Sequence, residues 1–129
     1  MRLLLDTSVL IDALRLRNGR RELLADLVRA QHALATSTLN IAEVYAGMRA
    51  SEEAETEAFL GALDCYEITP NVGRLAGKLK NQWAKKGRTL SLADTIVAAV
   101  ALENECAVMA DNGKDFPMPE LQRYPLNHT

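Results

Sequence analysis

Short apolar runs of about five residues, each followed by a stretch of helical periodicity, constrain this chain more than any other feature. Leu3-Leu4-Leu5 stops at Asp6 and leads into Thr7-Ser8, which suits a fully buried strand ending at a helix cap. His32 to Ser37, Cys65 to Thr69 and Cys106 to Ala110 read as further strands, and a fifth is expected near Gln122 to Tyr124. Apolar residues at helical spacing lie between them. Val9, Leu10, Ala13 and Leu14 mark one helix; Leu23, Leu24, Leu27 and Val28 mark a second over 20–31. Residues 39–49 and 52–63 give two more, the latter with Ser51 as its cap. Pro70 opens a helix whose apolar stripe runs through Val72, Leu75, Ala76, Leu79 and Trp83 and which ends near Gly87. The stretch 91–105 is the most apolar helix and is expected at the centre of the packing. Strands this short, alternating with helices, imply an α/β fold with a parallel sheet of four to five strands covered on both faces.

One such sheet needs one core. With 129 residues, 48% of them hydrophobic and 25% charged, the chain suits a single domain over 1–125 and a tail over 126–129. Basic and acidic residues nearly cancel, 15 against 17, so disorder is disfavoured and any nucleic-acid contact has to be a local patch. No stretch approaches the roughly 18 consecutive apolar residues of a membrane span. The acid after three leucines at the N-terminus falls short of the roughly 7 to 15 residue apolar region of a secretory signal, and a cytoplasmic location is expected. Cys65 and Cys106 have no metal-ligand spacing and are expected as small core residues.

In a parallel sheet, sites form at the carboxyl edge of the strands. Asp6 stands directly after the first strand, Glu43 in the first turn of the helix after the second, and Asp94 in the first turn of the apolar helix. Asp111, Asn112 and Asp115 follow the fourth strand. Taken singly, Asn40-x-x-Glu43 and Ser91-x-x-Asp94 resemble capping boxes. Asp6 is harder to explain locally, because a carboxylate ending a buried strand has to be paired, capping or metal-bound. Carboxylates crowded together repel one another unless a cation sits among them, and an oxygen-rich set suits Mg2+ or Mn2+ rather than Zn2+. No GxxxxGK, GxGxxG or GxSxG motif offers rival chemistry. A receiver-like domain would need paired acids at the first strand, and a DxDxT phosphatase a second acid two places after Asp6.

Basic residues gather in two stretches: Lys78, Lys80, Lys85, Lys86 and Arg88, and Arg15, Arg17, Arg20 and Arg21. Each reads either as a solvated face or as a phosphate-contacting flank of the acid pocket. Trp83 falls in register with the apolar stripe and is read as core or interface.

Leu4 to Asp12, Asn40 to Gly47, Leu92 to Ala99 and Asp111 to Phe116, in that order, resemble the successive signatures of a PIN domain. The length and N-terminal start are similar to toxin ribonucleases of the VapC type. The resemblance implies a three-layer α/β/α fold and an Mg2+- or Mn2+-dependent endoribonuclease that hydrolyses RNA phosphodiester bonds. It also implies a homodimer and a small antitoxin partner. Asp6 and Asp94 match the principal metal ligands and Glu43 the third acid, with Thr7 or Ser8 orienting water or ligands beside them. The fourth position departs from the pattern. PIN domains commonly show Thr, then Asn or Asp two residues later, then an acid before Phe; here Ala110, Asn112 and Asp115 stand in those places. Asp115 is the fourth ligand on this reading, with Asp111 or Asn112 as alternates. A rival of a different class is a PIN-fold dimer with little catalysis that serves as a nucleic-acid-binding or antitoxin-binding regulatory module.

Overall fold

The computed structural model describes residues 1–126. Strands β1 (Arg2–Leu5), β2 (Ala33–Ser37), β3 (Asp64–Tyr66), β4 (Ala107–Met109) and β5 (Arg123–Tyr124) form one sheet in the order β3-β2-β1-β4-β5, with every neighbouring pair parallel. The helices are α1 (Thr7–Leu14), α2 (Arg20–Arg29), α3 (Thr38–Gly47), α4 (Glu53–Gly61), α5 (Pro70–Lys85) and α6 (Leu92–Glu103). Short 3-10 turns occupy Ala50–Glu52 and Gly113–Asp115.

Side chains alternate across a strand, so β1, β2 and β4 each feed two cores. Leu3, Leu5, Ala107 and Met109 pack with Val9, Leu10, Leu24, Leu27, Val44 and Leu60 of α1 to α4. Leu4, Ala35 and Val108 face the opposite way, against Val72, Ala76 and Leu79 of α5 and the run Val97 to Ala101 of α6. The result is the expected three-layer α/β/α sandwich. Central β1 is paired on both edges, with Leu4 opposite Ala35 on one side and Val108 on the other. From β1 the chain travels outward to β2 and β3 beneath α1 to α4, then returns through α5 and α6 on the other face to β4. The chain leaves β1 toward Val9 and Leu10 on one face and leaves β4 toward Phe116 and Met118 on the other, and outside the carboxyl ends of two such neighbouring strands an open α/β sheet leaves a crevice.

Several local expectations are corrected. The 52–63 helix is not capped by Ser51, which lies within the 3-10 turn before α4; Glu52 occupies the cap position without a side-chain hydrogen bond. Helix α3 starts at Thr38, because Ser37 ends β2 and caps α3 at once. Glu43 thus sits in the second turn of α3, not the first. Cys106 is buried as expected, but Cys65 is exposed, since β3 is an edge strand with only β2 beside it. Leu126 packs against the α1 to α4 core, while the remainder of the expected tail, 127–129, lies outside the described residues. Among the described residues no helix is long and apolar enough to cross a membrane.

The double-sided burial of β1 makes a contrast between two leucines. Leu4 is fully buried and Leu92, at the start of α6, is 54% exposed. Leu4→Ala should cost about 2–5 kcal/mol and Leu92→Ala less than about 0.5 kcal/mol, read from urea or thermal unfolding. Equal losses at the two positions would contradict the assigned layers.

Candidate active site

Asp6 is the residue where β1 becomes α1. Its backbone is extended (φ -73, ψ 162), its N–H donates to the Met109 carbonyl of β4 at 2.9 Å, and its side chain makes no capping hydrogen bond. The carboxylate is thus left at the β1/β4 crevice. Burial pushes its pKa from 3.8 up to about 6, against the opposing pull of the Thr7 backbone N–H; the charges of Asp94 and Glu43 raise it further, and the Asn40 amide opposes them.

Asp94 arrives from the other helical layer. Ser91 caps α6 by accepting from the Asp94 N–H at 3.0 Å, which sets the first turn against the sheet rim. Burial raises the Asp94 pKa, a hydrogen bond from Ser91 works against that, and the charges of Asp115 and Glu43 add to the rise. Asp6 feels the charges of Asp94 and Glu43, and Asp94 those of Asp115 and Glu43, which brings the four acids to one place although they come from the β1–α1 junction, α3, α6 and the turn after β4.

A hydrogen-bonded chain orders one side of this cluster. Ser37 Oγ donates to Asn40 Oδ1 at 2.5 Å, so the Asn40 amide nitrogen is free to donate to Asp6 Oδ1 at 3.2 Å and to Thr7 Oγ1 at 3.0 Å. Thr7 Oγ1 in turn donates to Glu43 Oε1 at 2.7 Å. Asn40 is fully buried, and its role is not that of a capping residue partnered with Glu43, as the sequence suggested. The cap of α3 is Ser37, which accepts from the Asn40 N–H at 3.3 Å. The spacing Ser37-x-x-Asn40 was the available signal. Of the two hydroxyls beside Asp6, the network runs through Thr7; Ser8 is half-buried in the first turn of α1.

The segment after β4 divides its polar residues. Asp115 joins the cluster through Asp94, whereas Asp111 accepts from Arg20 Nη2 at 2.8 Å. Asn112 is exposed and its carbonyl accepts from the Asp115 N–H at 3.1 Å, closing the turn that bears the acid.

The expected basic flanks are only partly outward. Arg15 is engaged with Glu52 at 3.2 Å and with the Gly47 carbonyl at 3.3 Å, and Arg20 is buried. Lys80 donates to the Leu90 carbonyl, Lys86 lies over the Trp83 ring at 4.6 Å, and Arg88 donates to the Lys114 carbonyl. Arg17, Arg21, Lys78 and Lys85 are exposed. The Arg88 contact brings the end of this stretch to the turn that carries Asp115. Trp83 packs partly into the α5/α6 core, as its register implies.

The donor set is carboxylate oxygen, and Asp6 and Asp94 are both partly desolvated, with Asp94 raising the pKa of Asp6; that chemistry fits a hard divalent cation. Among the described residues no three His, Cys, Asp or Glu side chains form a ready-made ligation set. His32 does not contribute, since it lines a separate groove of about 470 Å³ with Leu24, Val28 and Phe59.

The family model described as PIN domain matches residues 3–119. Ribonuclease VapC19 of Mycobacterium tuberculosis is 33% identical over 120 residues, 92% of this chain and 96% of that relative. The crystal structure of VapBC2 from Rickettsia felis, bound to a DNA fragment from its promoter, matches with TM-score 0.86 at 19% identity, covering 98% of this chain and 100% of that one. A toxin-antitoxin complex from Klebsiella pneumoniae matches with TM-score 0.74 at 25% identity, covering 92% and 94%.

The raised Asp6 pKa has a thermodynamic consequence with a definite sign. Between 3.8 and about 6 the folded chain keeps a proton that the unfolded chain has released, so stability falls as pH rises through that window and is level above it. A shift of this size corresponds to roughly 3 kcal/mol. In metal-free buffer Asp6→Asn should therefore be more stable than wild type at pH 7.5 and gain little at pH 4. A stability gain that does not depend on pH would show that the Asp6 charge is not the destabilising element.

Proposed function

The chain belongs to the PIN domain family, and from that premise we propose that it is a divalent-metal-dependent endoribonuclease, the toxin of a VapBC-type toxin-antitoxin pair. The observation that carries the reading is the convergence of Asp6, Glu43, Asp94 and Asp115 on one rim of the sheet. The likeness to Ribonuclease VapC19 over nearly the whole of both chains supports RNA as substrate. The VapBC and toxin-antitoxin neighbours support an antitoxin partner.

Asp6 and Asp94 would hold Mg2+ or Mn2+, with Glu43 and Asp115 completing the anionic rim. A bound divalent cation supplies a water of lowered pKa and neutralises charge that develops on a phosphoryl oxygen. The protein's own part is positional. Asn40, locked by Ser37, holds Asp6 Oδ1, and Thr7 holds Glu43 Oε1, so neither carboxylate has to be ordered when substrate arrives. Arg17, Lys78 and Lys85 remain exposed to meet backbone phosphates, with Lys86 and Arg88 nearby in sequence, and the chain functions as a homodimer in the cytoplasm. The complete acid set favours catalysis over the alternative of a purely binding module.

With purified chain free of antitoxin, RNA should be cut in Mg2+ or Mn2+ and left intact in EDTA. Asp6→Asn and Asp94→Asn should abolish cleavage while the circular dichroism spectrum is retained. Asn40→Ala, which removes a partner of an acid and not the acid, should reduce cleavage by about 10–100-fold. Undiminished cleavage by Asp6→Asn would sink the site assignment, whereas wild-type chain that cuts no RNA in either metal would return it to the binding-module reading.

A further inference from the structure

Two charged residues remain once the acids are assembled: Arg20, from a basic stretch read as a phosphate flank, and Asp111, an additional carboxylate after β4. They meet each other. Arg20 Nη2 reaches Asp111 Oδ1 at 2.8 Å across a sequence separation of 91 residues. The Arg20 side chain is 7% exposed and that of Asp111 27% exposed. A guanidinium so enclosed is not a surface group waiting for RNA. It opens α2 directly after Asn18 and Gly19, which both adopt left-handed backbone (φ 55 and 65), and its Nη1 donates to the Asn18 carbonyl at 3.2 Å. The guanidinium is therefore held from behind by its own turn and in front by Asp111.

Asp111 begins the segment that ends in Asp115, and that segment is tied down along its length. Arg123 Nη1 of β5 donates to the Gly113 carbonyl at 2.6 Å, and Arg88 of the α5–α6 connection donates to the Lys114 carbonyl. The Asp115 and Phe116 N–H groups donate to the Asn112 and Gly113 carbonyls at 3.1 Å each, and the Phe116 ring is buried. Arg88 and Arg123 act through exposed contacts, which water weakens. The Arg20 to Asp111 bond is charge-assisted and sheltered, so it is the strong tie of the three. Removing the Asp111 carboxylate would leave the enclosed Arg20 guanidinium without this counter-charge.

The geometry points to Arg20 as a positioning residue: through Asp111 it fixes the 111–115 turn and with it the place of Asp115 in the acid cluster. This rests on the reading of the acids as a cation site. Within that reading Asp111 is a structural counter-ion and not an alternate ligand, and Arg20 serves the site without touching metal or RNA.

Two measurements on the full chain test it. In metal-free protein, amide hydrogen exchange at Asp115 and Phe116 should accelerate in Arg20→Gln and in Asp111→Asn while α6 amides keep their wild-type rates. In titration calorimetry, the Mn2+ dissociation constant should rise about tenfold in Arg20→Gln and less in Arg20→Lys. It should recover in part when Arg20→Asp is combined with Asp111→Arg. In an Asp115→Asn background, Arg20→Gln should add nothing further. Unchanged exchange at Asp115 and Phe116 overturns the proposal, as does an Arg20→Gln effect on Mn2+ that persists in full without the Asp115 carboxylate. Faster exchange throughout α6 also overturns it, by making Arg20 a general stabiliser. Wild-type protein that binds no Mn2+, together with variants that show the accelerated turn, sinks the cation reading and supports the tie.

Discussion

A carboxylate at the end of a strand buried on both faces is the constraint around which the molecule is arranged. Asp6 is desolvated because β1 is central to the sheet, and it is close enough to Asp94 and Glu43 to feel their charge. Left alone, such a group would simply hold its proton. Three polar residues of the β2–α3 corner and the start of α1 counter that tendency. Asn40 donates to Asp6, Thr7 diverts one oxygen of Glu43 into a hydrogen bond, and Ser37 fixes which face of the Asn40 amide is offered. The arrangement keeps an unfavourable concentration of negative charge in place. Packing of fully buried residues such as Leu3, Leu5, Val9 and Val100 supplies the stability that makes it tolerable.

The parts of this site that local rules encode were legible in the sequence. Asp6 ends an apolar run, Asp94 follows a capping serine by three residues, and Asp115 precedes a buried phenylalanine. Element order and the two-faced parallel sheet followed from the same punctuation. What escaped depends on tertiary placement. Glu43 was set one turn too early because Ser37 serves as strand end and helix cap together, a junction with no linker to mark it. The orientation of Asn40 toward Asp6 follows from α3 packing beside α1, whose cap is Asp6, and no spacing within α3 announces it. Cys65 reads as a small core residue because it has no metal-ligand spacing, yet an edge strand has only one neighbour to cover it.

Charge type also sorts more finely than charge count. Within the stretch 15–21, Arg15 and Arg20 are drawn inward to Glu52 and Asp111, while Arg17 and Arg21 stay exposed. Arg88 and Arg123 bind backbone carbonyls of the turn after β4. A planar guanidinium with several fixed donors suits such bridging, whereas the ammonium of Lys78 or Lys85 stays hydrated at the surface. A net charge of -2 thus conceals arginines spent on internal order, and only a subset of the basic residues is left for an outside partner.

The four acids of the candidate site come from different layers of the fold. Glu43 comes from the layer of α1 to α4, Asp94 from the layer of α5 and α6, and Asp6 and the Asp115 turn from adjacent strands between them. A cation held by Asp6 and Asp94 would join a strand to a helix of one layer, beside Glu43 of the other. Binding to the folded chain alone would then stabilise the whole sandwich, and its loss would return the repulsion that burial imposes on Asp6. Site and scaffold are coupled in this protein because β1, packed against both helical layers, is the strand that ends in the first acid of the cluster.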